Sequence, residues 1–168
     1  MEIRKIVFPV DLAGSSYRIA SQVRSVVDRF DAELHLVYVL ETLEAYSTFF
    51  VPHRSLDLME REGMALAQRH LEEFAEEYFE DRPKVKLSVL LGNPVAQIRQ
   101  YIESEGIDII IVASHDRPRL ERAIFGDVAE QISRDSPVPV MVINPFVEEK
   151  MRIIPAGQRP GAPQRLGV

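Results

Sequence analysis

The chain has 168 residues, 46% of them hydrophobic and 27% charged, enough for one buried core and unlike a disordered or fibrous composition. A formal charge of −6 argues against broad binding along a nucleic-acid backbone, which needs clustered Lys and Arg to displace counterions. With no cysteine there is no disulfide, thiolate metal site or cysteine nucleophile, so the cytoplasm is the expected compartment.

Met1 to Lys5 run directly into strand-like sequence, and no apolar stretch approaches the ~18 residues of a membrane span, so neither a signal peptide nor a membrane anchor is expected. Ile3 to Val10 reads as a first strand, followed by the turn Asp11-Leu12-Ala13-Gly14-Ser15-Ser16, whose serines suit helix caps. Ile19, Val23, Val26, Val27 and Phe30 then recur at helical spacing and predict a helix from about Ser16 to Phe30. Leu34 to Leu40 is a second strand. Glu41 to His53, with Tyr46, Phe49 and Phe50, has no period and reads as a long aromatic loop that either contacts a partner or covers the top of a sheet.

A second helix is predicted over Leu56 to Phe79, with Ala67, Leu71, Phe74 and Tyr78 facing inward beside Ala75 and Phe79, and with Gly63 as a break or bend. Val85 to Leu91 is a third strand. Asn93 is an N-cap, Pro94 suits the first helical position, Ile98, Tyr101 and Ile102 make the inner stripe, and Gly106 ends that helix. Ile107 to Ala113, apolar except for Asp108, reads as a central strand covered on both faces. A last helix from about Leu120 to Asp135 points Ile124, Phe125, Val128 and Ile132 inward and stops at Ser136-Pro137. Val138 to Ile143 is a fifth strand, which Pro139 confines to an edge.

Regular alternation of strands and helices predicts an α/β fold, a single doubly wound open sheet with helices on both faces and a ligand crevice at the carboxyl ends of its strands. Residues 145–168 are rich in Pro and Gly and carry Lys150, Arg152, Arg159 and Arg165 against Glu148 and Glu149, so a basic, disordered tail follows a more acidic body.

Four segments in order, Ile6-Val7-Phe8-Pro9-Val10-Asp11, Gly92-Asn93-Pro94, Ile107 to Gly126 and Pro137-Val138-Pro139-Val140, resemble the universal stress protein family over roughly residues 3–144. The resemblance implies a domain over 1–144 built on five parallel strands in the order 3-2-1-4-5, cytoplasmic homodimers joined through the last strand, and a role in stress response with no defined reaction. It also implies a nucleotide, usually ATP, at the ends of the first and fourth strands. An apolar edge strand gives a separate reason to expect pairing, and Val138, Val140 and Val142 are the candidate interface residues.

The family's nucleotide pattern is Gly, two residues, Gly, nine residues, then Gly with Ser or Thr; its glycines let the backbone approach phosphates that N–H groups and a hydroxyl hold. Here the stretch is Ala113-Ser114-His115-Asp116, nine residues, then Gly126-Asp127. Carboxylates at 116 and 127 would repel a phosphate by about 4 kcal/mol per pair at ~4 Å and an effective dielectric of ~20. Weakened or lost ATP binding, with no cofactor, is therefore expected. The alternative is a nucleotide-binding protein that holds ATP or AMP on this degenerate 113–127 loop, with Arg117, Arg119, Arg122 or a bridging Mg²⁺ offsetting the carboxylates. Asp11 matches the family's position near the adenosine and Val39 the place where backbone meets adenine; Asp11 equally suits a cap and Val39 the core.

No catalytic residue is predicted: neither Gly-x-x-x-x-Gly-Lys-Ser/Thr nor Gly-x-Ser-x-Gly occurs. His35, His53, His70 and His115 show no metal-ligand spacing, and a lone loop histidine such as His115 is most simply a surface or packing residue. A response-regulator receiver shares the architecture but needs an Asp ending the third strand, where Leu91-Gly92-Asn93 stands. A dimeric regulatory protein with an unidentified protein partner remains, without nucleic acid or membrane.

Overall fold

Strand and helix alternate through β1 (Lys5–Pro9), α1 (Gly14–Phe30), β2 (Glu33–Leu40), α2 (His53–Phe79), β3 (Val85–Leu91), α3 (Pro94–Glu105), β4 (Ile109–Ala113), α4 (Asp127–Asp135) and β5 (Val140–Ile143). The computed structural model describes residues 2–12, 14–42, 53–114 and 127–145, the side chains of 53–56 and 127 excepted. Most of the 41–53 loop, residues 115–126 with His115, Asp116 and Gly126, and the tail beyond Pro145 lie outside the described residues.

The five strands form one parallel sheet in the order β3-β2-β1-β4-β5, as expected. Side chains alternate across it. Ile6, Phe8, Leu34, Leu36, Ile109 and Ile111 meet Ile19, Val23 and Val27 of α1 and Leu71, Phe74 and Phe79 of α2. Val7, Val37, Ile110 and Val112 meet Ile98, Tyr101 and Ile102 of α3 and Ile132 of α4. A central strand covered on both faces has to be apolar almost throughout, which is why β4 shows no polar alternation.

Asn93 caps α3 by accepting the Ala96 N–H at 3.1 Å, Pro94 follows at the first turn, and Gly106 closes the helix at φ 63° with its N–H bonded to the Ile102 carbonyl. Asp108 lies outside the strand in which it was expected: its Oδ2 accepts the N–H groups of Arg4 and Lys5 at 2.8 and 2.9 Å, pinning the start of β1 beside that of β4.

Four expectations are corrected. Gly63 does not interrupt α2; a Cβ there would sit 3.0 Å from Leu40 Cδ2, so the glycine serves the close approach of α2 to the end of β2. α2 also begins at His53, ahead of the apolar period, because His53-Arg54-Ser55 offers no apolar signal. Phe30, the last residue of α1, is 44% exposed, since no further turn follows to hold it against the sheet. β5 begins at Val140: Pro139 lacks an N–H, yet its carbonyl still accepts from Ile110 at 3.1 Å. Val138 therefore precedes the strand and packs on the α3/α4 side of this chain's own core. β5 is an edge of the sheet, as expected, although Pro139 stands just before the strand.

Candidate functional site: a crevice at the switch point

In the order 3-2-1-4-5 the chain leaves β1 for β2 on one side and reaches β4 on the other, so the crossovers diverge at the carboxyl ends of β1 and β4 and leave a gap. A cavity of about 500 Å³ opens there, walled by Pro9, Val10 and Asp11 after β1, by Val112, Ala113 and Ser114 after β4, and by Val39 and Leu40 ending β2. Another groove, about 380 Å³ between α3 and α4, lies away from the strand ends.

The turn after β1 is held by reciprocal bonds. The Asp11 N–H donates to Ser16 Oγ at 2.9 Å, while the Asp11 carboxylate accepts the Ser16 N–H at 3.4 Å and the Ser15 hydroxyl. Asp11 thus both caps α1 and faces the cavity. Leu12 beside it adopts φ 50°, a left-handed conformation that a branched side chain rarely takes and that only the surrounding bonds can hold.

Across the gap, the Ser114 N–H donates to the Ile143 carbonyl at 2.8 Å, extending the β4–β5 ladder one residue into the wall, and Ser114 is buried. Gly92 donates its N–H to the Leu40 carbonyl at 2.9 Å with φ 137°; a Cβ there would meet Gln97 Nε2 at 3.0 Å. That contact brings the amino end of α3, with Pro94 and Ile98, into the wall. α1 and α3 both begin at this end of the sheet, so two positive helix termini lie around the crevice. The polar residues of the described wall are Asp11, Ser15, Ser16, Tyr38, Glu41 and Ser114; none is Lys or Arg.

Of the residues expected from sequence, Asp11, Val39, Ala113 and Ser114 come together in this wall. Asp127 is the first described residue of α4, and His115, Asp116 and Gly126 lie outside the described residues. Sequence reasoning missed Glu41, Pro94 and Ile98; position one step past a strand, or in the first turns of the next helix, would have marked them. Val128, expected inward, is 37% exposed because it stands at the cavity wall and not over the sheet. Among the described residues no group of His, Cys, Asp and Glu could hold a metal ion, and no helix is long and apolar enough to cross a membrane.

An open parallel sheet with a crevice at its switch point defines a doubly wound α/β domain. The family model described as "Universal stress protein family" matches residues 2–144, and the chain belongs to that family. It is 28% identical over 145 residues to universal stress protein MJ0531 of Methanocaldococcus jannaschii, a match covering 83% of this chain and 81% of that one. The solved structure of MJ0577 superposes with a TM-score of 0.72 at 25% identity, covering 86% of this chain and 97% of that one. Two more distant folds carry nucleotides: a universal stress protein in complex with cAMP (TM-score 0.59, 14% identity, 86% of this chain and 99% of that one) and one from Archaeoglobus fulgidus with dAMP (TM-score 0.53, 15% identity, 85% and 99%).

Proposed function

We propose that this chain is a stress-response regulatory protein that acts as a dimer, by binding and not by catalysis, with a crevice that has lost tight affinity for ATP. One observation carries this reading: the described wall adds the Glu41 carboxylate and no cation, and the sequence sets Asp116 and Asp127 against Arg117, Arg119 and Arg122 in the segment that the family resemblance gives to the phosphates. Like charge in a partly enclosed site weakens a polyphosphate much more than a neutral nucleoside. The relatives holding cAMP and dAMP favour the second reading, a crevice that still takes a nucleotide.

Isothermal titration separates the two. Purified protein titrated with ATP, with and without Mg²⁺, is expected to give no saturable heat at sub-millimolar ligand, and the double substitution Asp116→Gly with Asp127→Ser is expected to restore it. A micromolar dissociation constant for the unaltered protein would establish the nucleotide-binding reading instead.

The proposed dimer joins through β5. That strand pairs only with β4 among the described residues, and Val142 is 38% exposed on it while Val140 is half-buried. An unpaired apolar edge is normally covered, and a two-fold mate covers it with the same surface. Light scattering should show a dimer that Val142→Lys converts to a folded monomer; a monomeric parent protein removes this part of the proposal.

A further inference from the structure

The face of the sheet under α3 contains a polar chain that the crevice does not use. His35, in the middle of β2, has no solvent exposure, and its Nδ1 lies 2.9 Å from the hydroxyl of Tyr101 on α3. That hydroxyl lies 3.0 Å from Ser88 Oγ on β3, the edge strand. The other ring nitrogen, Nε2, is buried without a hydrogen bond and faces Glu33 Oε1 at 3.5 Å.

Geometry sets the direction of the chain. A lone pair on Nε2 would be repelled by the Glu33 carboxylate 3.5 Å away, whereas an N–H there is attracted to it, which favours the neutral tautomer with its hydrogen on Nε2. Nδ1 then accepts from the Tyr101 hydroxyl, and Tyr101 accepts from Ser88. Burial holds the Tyr101 hydroxyl above its ordinary pKa, so it stays protonated and serves as donor.

We propose that His35, Tyr101 and Ser88 form an acid-sensing proton relay that reverses its hydrogen bonds when His35 is protonated. A hydronium ion of the solvent gives its proton to Ser88 Oγ and leaves as water, while the serine's own hydrogen passes to the Tyr101 oxygen and the tyrosine hydrogen passes to Nδ1. Each oxygen gives up one O–H bond and gains another, and one positive charge ends on the imidazolium. The Nδ1–H now donates to Tyr101, Tyr101 donates to Ser88, and the Nε2–H strengthens its attraction to Glu33. All three groups keep a partner in both states, which separates a relay from a structural hydrogen bond.

The charges around the ring are mixed. Desolvation chiefly holds His35 below its ordinary pKa; Glu33 of β2 and Glu105 of α3 oppose this, while Lys86 of β3 and Lys5 of β1 reinforce it. Lys86 is itself paired with Glu105 at 2.7 Å, and Lys5 donates to the Glu105 carbonyl at 2.8 Å. Since the unfolded chain takes up its proton first, near the ordinary value of 6.5, stability is full above that pH and is lost as pH falls toward the folded midpoint. In that window the unfolding constant rises by up to about tenfold per pH unit. This inference is independent of nucleotide affinity.

The test is long-range ¹H–¹⁵N NMR of the full chain with labelled histidine, read from pH 8 downward. The ring should be the Nε2–H tautomer at pH 8 and titrate below 6.5. Ser88→Ala removes one bond from each state, but before reversal it leaves only a lone pair of Tyr101 unused, whereas after reversal it leaves the Tyr101 hydroxyl hydrogen without an acceptor, so the midpoint should fall. Glu33→Gln should lower it as well. An Nδ1–H tautomer, a midpoint at or above 6.5, or an unmoved midpoint in Ser88→Ala overturns the relay. Should the chain unfold before the ring titrates, urea unfolding of the parent and of His35→Asn at successive pH values decides the matter: a rise of up to about tenfold per unit in the parent that His35→Asn removes supports the proposal, and a slope that His35→Asn leaves unchanged ends it.

Discussion

The two faces of the sheet are packed by different means. Under α1 and α2, Phe74 lies between Phe8, Tyr17, Tyr78 and Phe79, with ring centroids 5.0 to 6.3 Å apart, and the buried Ser16 stands at the crevice end of α1, bonded to Asp11. Under α3 and α4 the core uses smaller side chains and encloses His35, hydrogen-bonded to Tyr101 and through it to Ser88. Apolar packing contributes the same amount across the neutral and acid range, because it rests on no group that changes charge there. A hydrogen-bonded histidine contributes an amount that depends on protons. One face therefore fixes how stable the domain is, and the other how that stability answers to the surroundings.

The contrast breaks most visibly at Phe74. Its ring is fully buried and touches four other aromatic rings, so Phe74→Ala should cost about 3–5 kcal/mol, the usual range for emptying an aromatic core position. Urea unfolding measures it, and the deficit should be equal at pH 8 and pH 5.5. A deficit that changes with pH would show that the two faces are not independent.

The apolar face was readable from sequence almost residue by residue. Ile19, Val23 and Val27 repeat at helical spacing, as do Ala67, Leu71 and Phe74, and each of them is buried. The caps of α3 were equally plain, because Asn-Pro and a closing Gly act through local backbone chemistry. What failed to show was long-range. His35 and Tyr101 are 66 positions apart, and a histidine inside a strand says nothing of its partner until β2 is known to place Leu34 and Leu36 on one face and His35 and Val37 on the other. The crevice was legible in part: Asp11 and Val39 came from the family resemblance, and Ala113 and Ser114 from its motif, while Glu41 and Pro94 enter the wall only through the folded connections. Val138 was misassigned because apolar continuity runs through Pro139, whereas the strand does not.

Tyr101→Phe gives the smaller and more diagnostic effect. The ring and its packing remain, while His35 Nδ1 loses its donor and Ser88 its partner, for a cost of about 1–3 kcal/mol when a buried polar group is left unsatisfied. The pH dependence follows from the sign of the shift. The folded pKa of His35 is already depressed, and an imidazolium with no acceptor at Nδ1 is worse still, so the variant's folded pKa is lower than the parent's. Both proteins lose stability together as pH falls from 6.5. The parent stops losing once its folded ring has taken up a proton, whereas the variant goes on. The gap between them should therefore be constant at neutral pH and widen below the parent's folded midpoint, where the gap for Phe74→Ala stays flat. A Tyr101→Phe gap that stays flat as well would mean that the hydroxyl serves packing geometry alone and that His35 remains neutral throughout the acid range.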